Sequence, residues 1–525
     1  MSHFQETDSR MGVKEFYAGK GIFVTGATGF MGKVLVEKLL RSVPDIGVVY
    51  ILVRQKRGKT SKERLEDLLS SRVFDVLKEQ SSNWMEKIKM VEGALEQPDL
   101  GLSEEDLRHV SDEVSVVFHT AATIKFDAPL RESLDHNVVG LKHILDVARK
   151  IKKLEAFVHT STAYCQCDRK HIDEVLYPCD FDPTHLLEAK KWMTDHQLEL
   201  LSPTLVKDMP NTYTYTKKLA EEYLRKEASD LPITVVRPSI VGAAYKEPVD
   251  GWVDVITGST GIIAAFGKGL LKVMKVDIGS IADIIPVDMV DNLIISAAWI
   301  TAVDKPSSPL VYNFTALPTN ACTWADLYSI LTPYLTDNPF DQLFRRPYGS
   351  PSRPAFLYPI YHFFSHLIPA FVADLMLRLT GRKPQMMFIY SRLSKALNTL
   401  EYFTCNRWTW SRDNTEQLWS LMSPEDQELF NFNLHQVHLQ SYFEGYCRGI
   451  KEFILKDDMT KIPQHRKQIT RLRNIRYMFN LLVFIISARL VYLKSELARQ
   501  IWGKLLNVFF KWLQFLQLPT QLLKI

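Results

Sequence analysis

The chain has 525 residues, 46% of them hydrophobic, 11% aromatic and 24% charged, which excludes wholesale disorder and is enough, at roughly 150 residues per domain, for two domains with additions. Sixty-four Lys and Arg against sixty Asp and Glu leave a net charge of +4, a balance that does not suggest a nucleic-acid binder. The six cysteines include no C-x-x-C pair, so neither a disulfide framework nor a metal site is expected. Residues 1–16 hold acidic residues and no apolar run. They read as a flexible N-terminus without a secretory signal, and the main body is expected in the cytosol. From 17 to 302, short Val/Ile/Phe-rich runs at 21–25, 48–53, 114–119, 155–160 and 233–237 alternate with stretches of helical period such as 32–41, 130–151 and 215–228. Runs of that kind suit strands buried on both faces, and the alternation predicts an α/β, doubly wound parallel sheet.

At 303–354 prolines such as Pro306, Pro309, Pro318 and Pro333 predict an irregular connection, with a helical piece near 323–331. Residues 355–455 are rich in Phe, Tyr, Trp, Leu and His and read as a smaller, mainly helical domain. The region 456–525 opens with a basic run from His465 to Arg476, followed by the apolar stretch 477–493. As a helix that stretch rises only about 25 Å, against a hydrocarbon core of about 30 Å, and it contains Arg489, so it suits a span imperfectly. Beyond it Gln500, Lys504, Asn507, Lys511 and Gln514 recur every three or four residues as one narrow polar stripe. Ile501, Trp502, Leu505, Phe509, Trp512, Leu513 and Phe515 fall on the other side. A soluble core helix can show this pattern, but the Trp/Phe face with Lys on the stripe matches an interfacial membrane helix.

Thr25-Gly26-Ala27-Thr28-Gly29-Phe30-Met31-Gly32 follows the first expected strand and opens the first expected helix. Its glycines permit a tight turn, close approach of the backbone to a pyrophosphate and close helix–strand packing, while the helix N-terminus offers free N–H groups. The end of the second strand selects the dinucleotide. An NAD site usually places an acid there, whereas this chain reads Arg54-Gln55-Lys56-Arg57. NADPH is therefore expected, with Arg54 on the 2′-phosphate and Lys56 and Arg57 in a solvated loop.

Tyr213 and Lys217 are four residues apart, so on a helix the phenol and ammonium share a face. The ammonium is expected to draw the phenol down from its ordinary value near 10 toward a useful acid–base range. Tyr215 is the competing phenol, but Leu219, not a lysine, lies four residues on. Ser161 and Thr162 end the strand expected at 155–160, where either can hydrogen-bond a substrate carbonyl oxygen or merely satisfy the loop backbone.

The glycine loop, His119-Thr120-Ala121-Ala122, Asn137-Val138-Val139-Gly140, Ser161-Thr162, Tyr213-x-x-x-Lys217 and Arg237-Pro238-Ser239 together resemble an extended short-chain dehydrogenase/reductase. More specifically, the chain from Tyr17 to about Leu455 resembles the alcohol-forming fatty acyl-CoA reductases, including their C-terminal male-sterility domain. Residues 20–57, 169–174 and 236–242 carry that likeness. The resemblance implies a Rossmann-like reductase domain in which Thr162, with Ser161 as alternate, Tyr213 and Lys217 carry the chemistry. Asn137 matches a position that supports the lysine or a proton-relay water. Thr25, Gly26, Thr28, Gly29, Phe30, Met31, Gly32, Arg54, Ala121, Asn137, Tyr213, Lys217 and Pro238 are the implied NADPH contacts.

The implied reaction takes long-chain acyl-CoA to aldehyde and then to primary alcohol with two NADPH and release of CoA, for wax, ether-lipid or cuticular lipid synthesis. The implied setting is a peroxisomal or endoplasmic reticulum membrane, reached through the tail, with the catalytic domain in the cytosol. No nucleic acid is expected, and a homo-oligomer stays open. Two other classes compete. A hydroxysteroid dehydrogenase or sugar epimerase keeps Tyr and Lys but lacks the aromatic-rich helical domain, and a catalytically silent membrane scaffold has no need to retain Thr162, Tyr213 and Lys217.

Overall fold

A computed structural model describes residues 10–56, 58–349 and 357–517. Its centre is a seven-stranded parallel sheet formed by β1 (Gly21–Thr25), β2 (Val49–Val53), β3 (Ile88–Glu92), β4 (Val114–His119), β5 (Ala156–Thr160), β6 (Ile233–Pro238) and β7 (Leu310–Phe314). The spatial order is β7-β6-β5-β4-β1-β2-β3. The chain reverses its direction of winding between β1 and β4, and there the strand ends open a crevice suited to ligands. β1, β2, β4, β5 and β6 are buried at every residue, as expected for strands covered on both faces.

The sheet extends past the expected boundary at 302. β7 follows Pro306 and Pro309, which end the preceding segment without entering the strand. β3 reads Ile-Lys-Met-Val-Glu and is largely accessible on an edge, so its charges hid it from an apolar pattern. The helical stretch expected at 130–151 is interrupted by a π turn at Asp135–Val139, between helices Leu130–Leu134 and Gly140–Ala148.

Part of the expected flexible N-terminus is fixed. Helix Val13–Tyr17 buries Val13, Phe16 and Tyr17, the Asp426 carboxylate accepts from Val13 N at 2.9 Å, and the Tyr17 hydroxyl donates to Ile295 O at 2.7 Å. One helical turn is too short to show a period in the sequence. Residues 1–9 lie outside the described ones.

The region after 355 is helical, with Met386–Cys405, Asp413–Leu421 and Leu439–Gly449 as its main described elements. It shares a core with the sheet domain: Leu418, Phe430, Tyr442 and Tyr446 belong to the same apolar cluster as Ile22, Val36 and Ile294. The short strand Thr409–Trp410 pairs in parallel with His171–Ile172. Helix Ile462–Lys494 begins against the body, with His465 and Ile469 buried, and is exposed from about residue 471 onward. A second helix, Glu496–Gln517, follows. The side chains of Leu513 and Phe515 lie outside the described ones.

Candidate active site

The glycine loop closes the end of β1 next to the end of β4. Gly26 has φ +85, and a Cβ there would sit 2.6 Å from Thr120 Oγ1 and 2.7 Å from Ala121 N, so glycine serves both the turn and the contact. At Gly32 a Cβ would come within 2.2 Å of Gly26 O, which is why the helix can lie so close to the loop. Gly29 caps helix Phe30–Ser42 without a side chain, leaving the first-turn N–H groups with no side-chain cap and no acidic neighbour. A Cβ at Gly29 would meet only Gly26 O, at 3.1 Å. The loop therefore fits a pyrophosphate held on backbone N–H groups at a positive helix end.

Several expected cofactor contacts are engaged within the protein. The Thr25 hydroxyl lies 2.7 Å from His119 Nδ1, and Thr25 O accepts from Thr120 Oγ1 at 2.8 Å, joining the two strand ends. The Phe30 ring stacks on Trp252 at 5.4 Å, which leaves its backbone for the loop, and Met31 packs on the core. Pro238 O accepts from Ala163 N at 2.9 Å.

Arg54 donates to Glu96 at 2.6 Å and lies 3.0 Å from His136 Nε2. The bond from His136 is the main reason the Glu96 carboxyl is held at about 2. Arg64, which the sequence reading did not single out, donates to Thr28 Oγ1 at 2.7 Å and to Arg54 O. Two guanidinium groups thus stand beside the glycine loop. Arg64 sits in a mixed-charge helix, Ser61–Leu69, where nothing local marks it. Arg57 lies outside the described residues.

Asn211 caps helix Thr212–Glu227 by accepting from Thr214 N at 2.9 Å, and the first two turns present Tyr213 and Lys217 to the crevice. Burial pushes the Tyr213 phenol up to about 12, outweighing the neighbouring Thr162 hydroxyl, which favours the phenolate. This reverses the expected downward shift: desolvation disfavours the phenolate, and the Lys217 ammonium does not reach far enough to offset it. The phenol stays protonated and can donate. Lys217 is buried, donates to Thr160 O at 2.7 Å, and is lowered by burial to about 8. Tyr215 packs in the apolar cluster with Met209 and Leu219, as a core residue.

The two candidate hydroxyls separate. Thr162 meets Tyr213, whereas Ser161 faces the Glu221 carboxylate. Asn137 sits on the π turn, accepts from Thr123 N at 2.9 Å and donates to Thr216 Oγ1 at 3.0 Å, so it braces helix Thr212–Glu227. His119 and His159 stack at 5.3 Å beneath the site, and burial, with the Lys217 charge, keeps both neutral.

The C-terminal region supplies a wall. Phe126 stacks on Tyr213 at 5.4 Å and meets Phe403 of helix Met386–Cys405 at 5.5 Å; Phe403 and Trp408 in turn pack on Tyr164. A hydroxyl pair beside an apolar aromatic surface can polarise a carbonyl carried on a hydrocarbon chain. These aromatics come from segments nearly 300 residues apart, and no sequence spacing relates them.

Two family models, both described as male sterility protein, match residues 24–294 and 365–457. The chain is 44% identical over 506 residues to fatty acyl-CoA reductase 1 of Xenopus laevis, covering 96% of this chain and 98% of that protein. It is 43% identical over 504 residues to fatty acyl-CoA reductase 1 of Homo sapiens, with the same coverage, and 42% identical over 510 residues to human fatty acyl-CoA reductase 2, covering 97% and 99%. Among solved structures, the terminal R domain from the myxalamid PKS-NRPS biosynthetic pathway superposes with a TM-score of 0.54 at 21% identity, covering 82% of this chain and 90% of that one. The reductase domain of a non-ribosomal peptide synthetase from Mycobacterium tuberculosis also scores 0.54, at 17% identity, covering 83% and 92%. Those two show the fold. The sequence relatives, matched almost end to end, place this chain in the fatty acyl-CoA reductase family.

Proposed function

We propose that the protein reduces long-chain fatty acyl-CoA to primary alcohol with NADPH, passing through the aldehyde and releasing CoA. The observation that carries this reading is the placing of Tyr213 beside Thr162 and buried Lys217, under an aromatic wall supplied by Phe126 and Phe403. The glycine loop would hold the cofactor pyrophosphate, Lys217 the nicotinamide ribose, and Arg54 with Arg64 the 2′-phosphate that distinguishes NADPH. When bound, the nicotinamide supplies hydride to the acyl carbon. Tyr213 and Thr162 bond the carbonyl oxygen and stabilise the charge that gathers there. Being protonated, Tyr213 then gives its proton to the more basic alkoxide of the second reduction.

The CoA sulfur leaves without help from a cysteine. Cys165, the thiol nearest the site, is buried, donates to Glu221 at 3.0 Å and is pushed well up, so it is a poor nucleophile. The tail would hold the protein at a peroxisomal or endoplasmic reticulum membrane. The basic run at 465–476 would keep the catalytic body on the cytosolic face, following the positive-inside preference. The test is product analysis of the full-length protein with a panel of acyl-CoAs. NADPH-dependent release of free CoA together with alcohol is expected, and NADPH oxidation without CoA release overturns the reading.

A further inference from the structure

Tyr358–Leu379 is an apolar helical rod that the chemistry above does not use. One face is docked. His366, Ala370 and Asp374, four residues apart, are buried; His366 Nε2 accepts from Lys272 N at 2.9 Å, and the Asp374 carboxylate accepts from the backbone N–H groups of Gln385, Met386 and Met387 at 2.8–2.9 Å. The opposite face is bare. Phe364, Phe371 and Met376 are each 62% exposed and Leu379 is 79% exposed, with Phe388 of the next helix alongside. A stripe of this kind normally lies against something apolar.

Charge narrows the choice. Between residues 358 and 395 stand Arg378, Arg382, Lys383, Arg392 and Lys395 against a single acid, Asp374. The base of the tail reaches the same corner: Arg476 lies over Tyr348 at 5.8 Å, and Lys272 feels Arg345, Arg346 and Arg476. A second copy of this chain would bring like charges together. A bilayer with anionic headgroups accepts both the apolar stripe and the cations. The docked face argues against a span, since His366 is bonded to the body at Lys272 and Asp374 to the start of the next helix. Behind it lies a narrow apolar cleft of about 50 Å³, lined by Ile262, Phe266, Val273, Leu327 and Leu331, and also by Lys272, whose backbone bonds His366.

We propose that Tyr358–Leu379 lies in the surface of an anionic bilayer as a second membrane contact, separate from the tail, and from there delivers a membrane-dissolved substrate to the domain on which it is docked. The contact stands by itself, whereas the passage of substrate rests on the acyl-CoA reading.

The experiment uses the full-length protein on phosphatidylcholine vesicles containing phosphatidylserine and a phosphatidylcholine with a photoactivatable acyl chain. Cross-links are expected within 358–379 as well as in the tail. Cross-links in the tail alone overturn the second contact; a protein that neither sediments with vesicles nor cross-links overturns the membrane reading as a whole. The triple substitution F364E/F371E/M376E touches only exposed side chains and should leave the tail attached. It should raise KM for vesicle-dissolved palmitoyl-CoA by roughly tenfold while KM for water-soluble butanoyl-CoA changes by less than about twofold. Equal changes for both substrates, or a triple variant that converts a dimer to a monomer, overturn the passage. If no acyl-CoA is reduced at all, the proposed activity fails while the cross-links still decide the contact.

Discussion

At the scale of single residues, the Tyr213 hydroxyl stands beside Thr162, and burial keeps its proton in place. Tyr213→Phe should lower turnover by about 10²–10⁴ with NADPH affinity nearly intact, since it removes both a donor to the oxyanion and the acid. Near-normal alcohol production by that variant would sink the assignment. The two neighbouring hydroxyls should part company: Thr162→Val should cost turnover severely, and Ser161→Ala, facing Glu221, should act mainly on stability. On the cofactor side, Arg54→Ala and Arg64→Ala should each weaken NADPH by about ten- to a hundredfold, at very roughly 1.5–3 kcal/mol for a charge-assisted pair, and leave NADH almost unchanged. Equal loss of both cofactors would make the two arginines structural. Tyr213, Lys217 and the glycines were legible as candidates because four-residue and three-residue spacings within one helix or turn bring them together. Arg64, Phe126 and Phe403 were not, because each gains its role from a partner that only the folded chain brings near.

Elements differ in the same way. The buried strands β1, β2, β4, β5 and β6 announce themselves by unbroken apolar runs. β3, charged at an edge, and β7, set among prolines, need the sheet to identify them. What locks these elements together is buried charge. Arg237 of β6 and Glu221 of helix Thr212–Glu227, both without exposed side-chain surface, pair at 2.6 Å and fix the helix that carries Lys217. Arg237→Met would strand the Glu221 carboxylate and should cost about 3–5 kcal/mol in denaturant unfolding; a loss within ±0.5 kcal/mol would mean the pair is not a brace.

Glu174 joins the two regions, accepting from Asn313 N at 2.8 Å and from the Thr415 hydroxyl at 2.7 Å. Burial raises its carboxyl from 4.5 to about 7, against the opposing hydrogen bonds. The folded state therefore holds a proton that the unfolded chain releases. Its contribution to stability is complete below about pH 4.5 and is lost as pH rises through about 7, by at most about 3 kcal/mol. Glu174→Gln should flatten that part of the stability profile relative to the parent protein. Parallel profiles for the two would contradict the shift.

For the whole molecule, the division between body and tail falls later than the sequence alone places it. His465 and Ile469 are buried, and His465 lies 3.2 Å from Asp341, so the first turns of helix Ile462–Lys494 belong to the body. A cut after Leu455 would remove that packing; a cut after Arg476 keeps it. Beyond the cut, Phe479, Leu482, Phe484 and Ile485 stand open on the first tail helix, and Phe509, Phe510 and Trp512 on the second. Each such side chain contributes roughly 1.5–3 kcal/mol when fully buried in an apolar medium, so a few of them outweigh any surface charge attraction. The protein ending at Arg476 should therefore fold, lose most of its sedimentation with liposomes, keep its turnover on a medium-chain acyl-CoA, and fall behind on a long-chain one dissolved in the bilayer. In the full-length chain, Phe509→Glu with Trp512→Glu should loosen attachment by less, because the first tail helix remains. Complete sedimentation of the shortened protein would shift the main anchor to Tyr358–Leu379, and loss of activity on every substrate would show that the tail helices pack on the catalytic body.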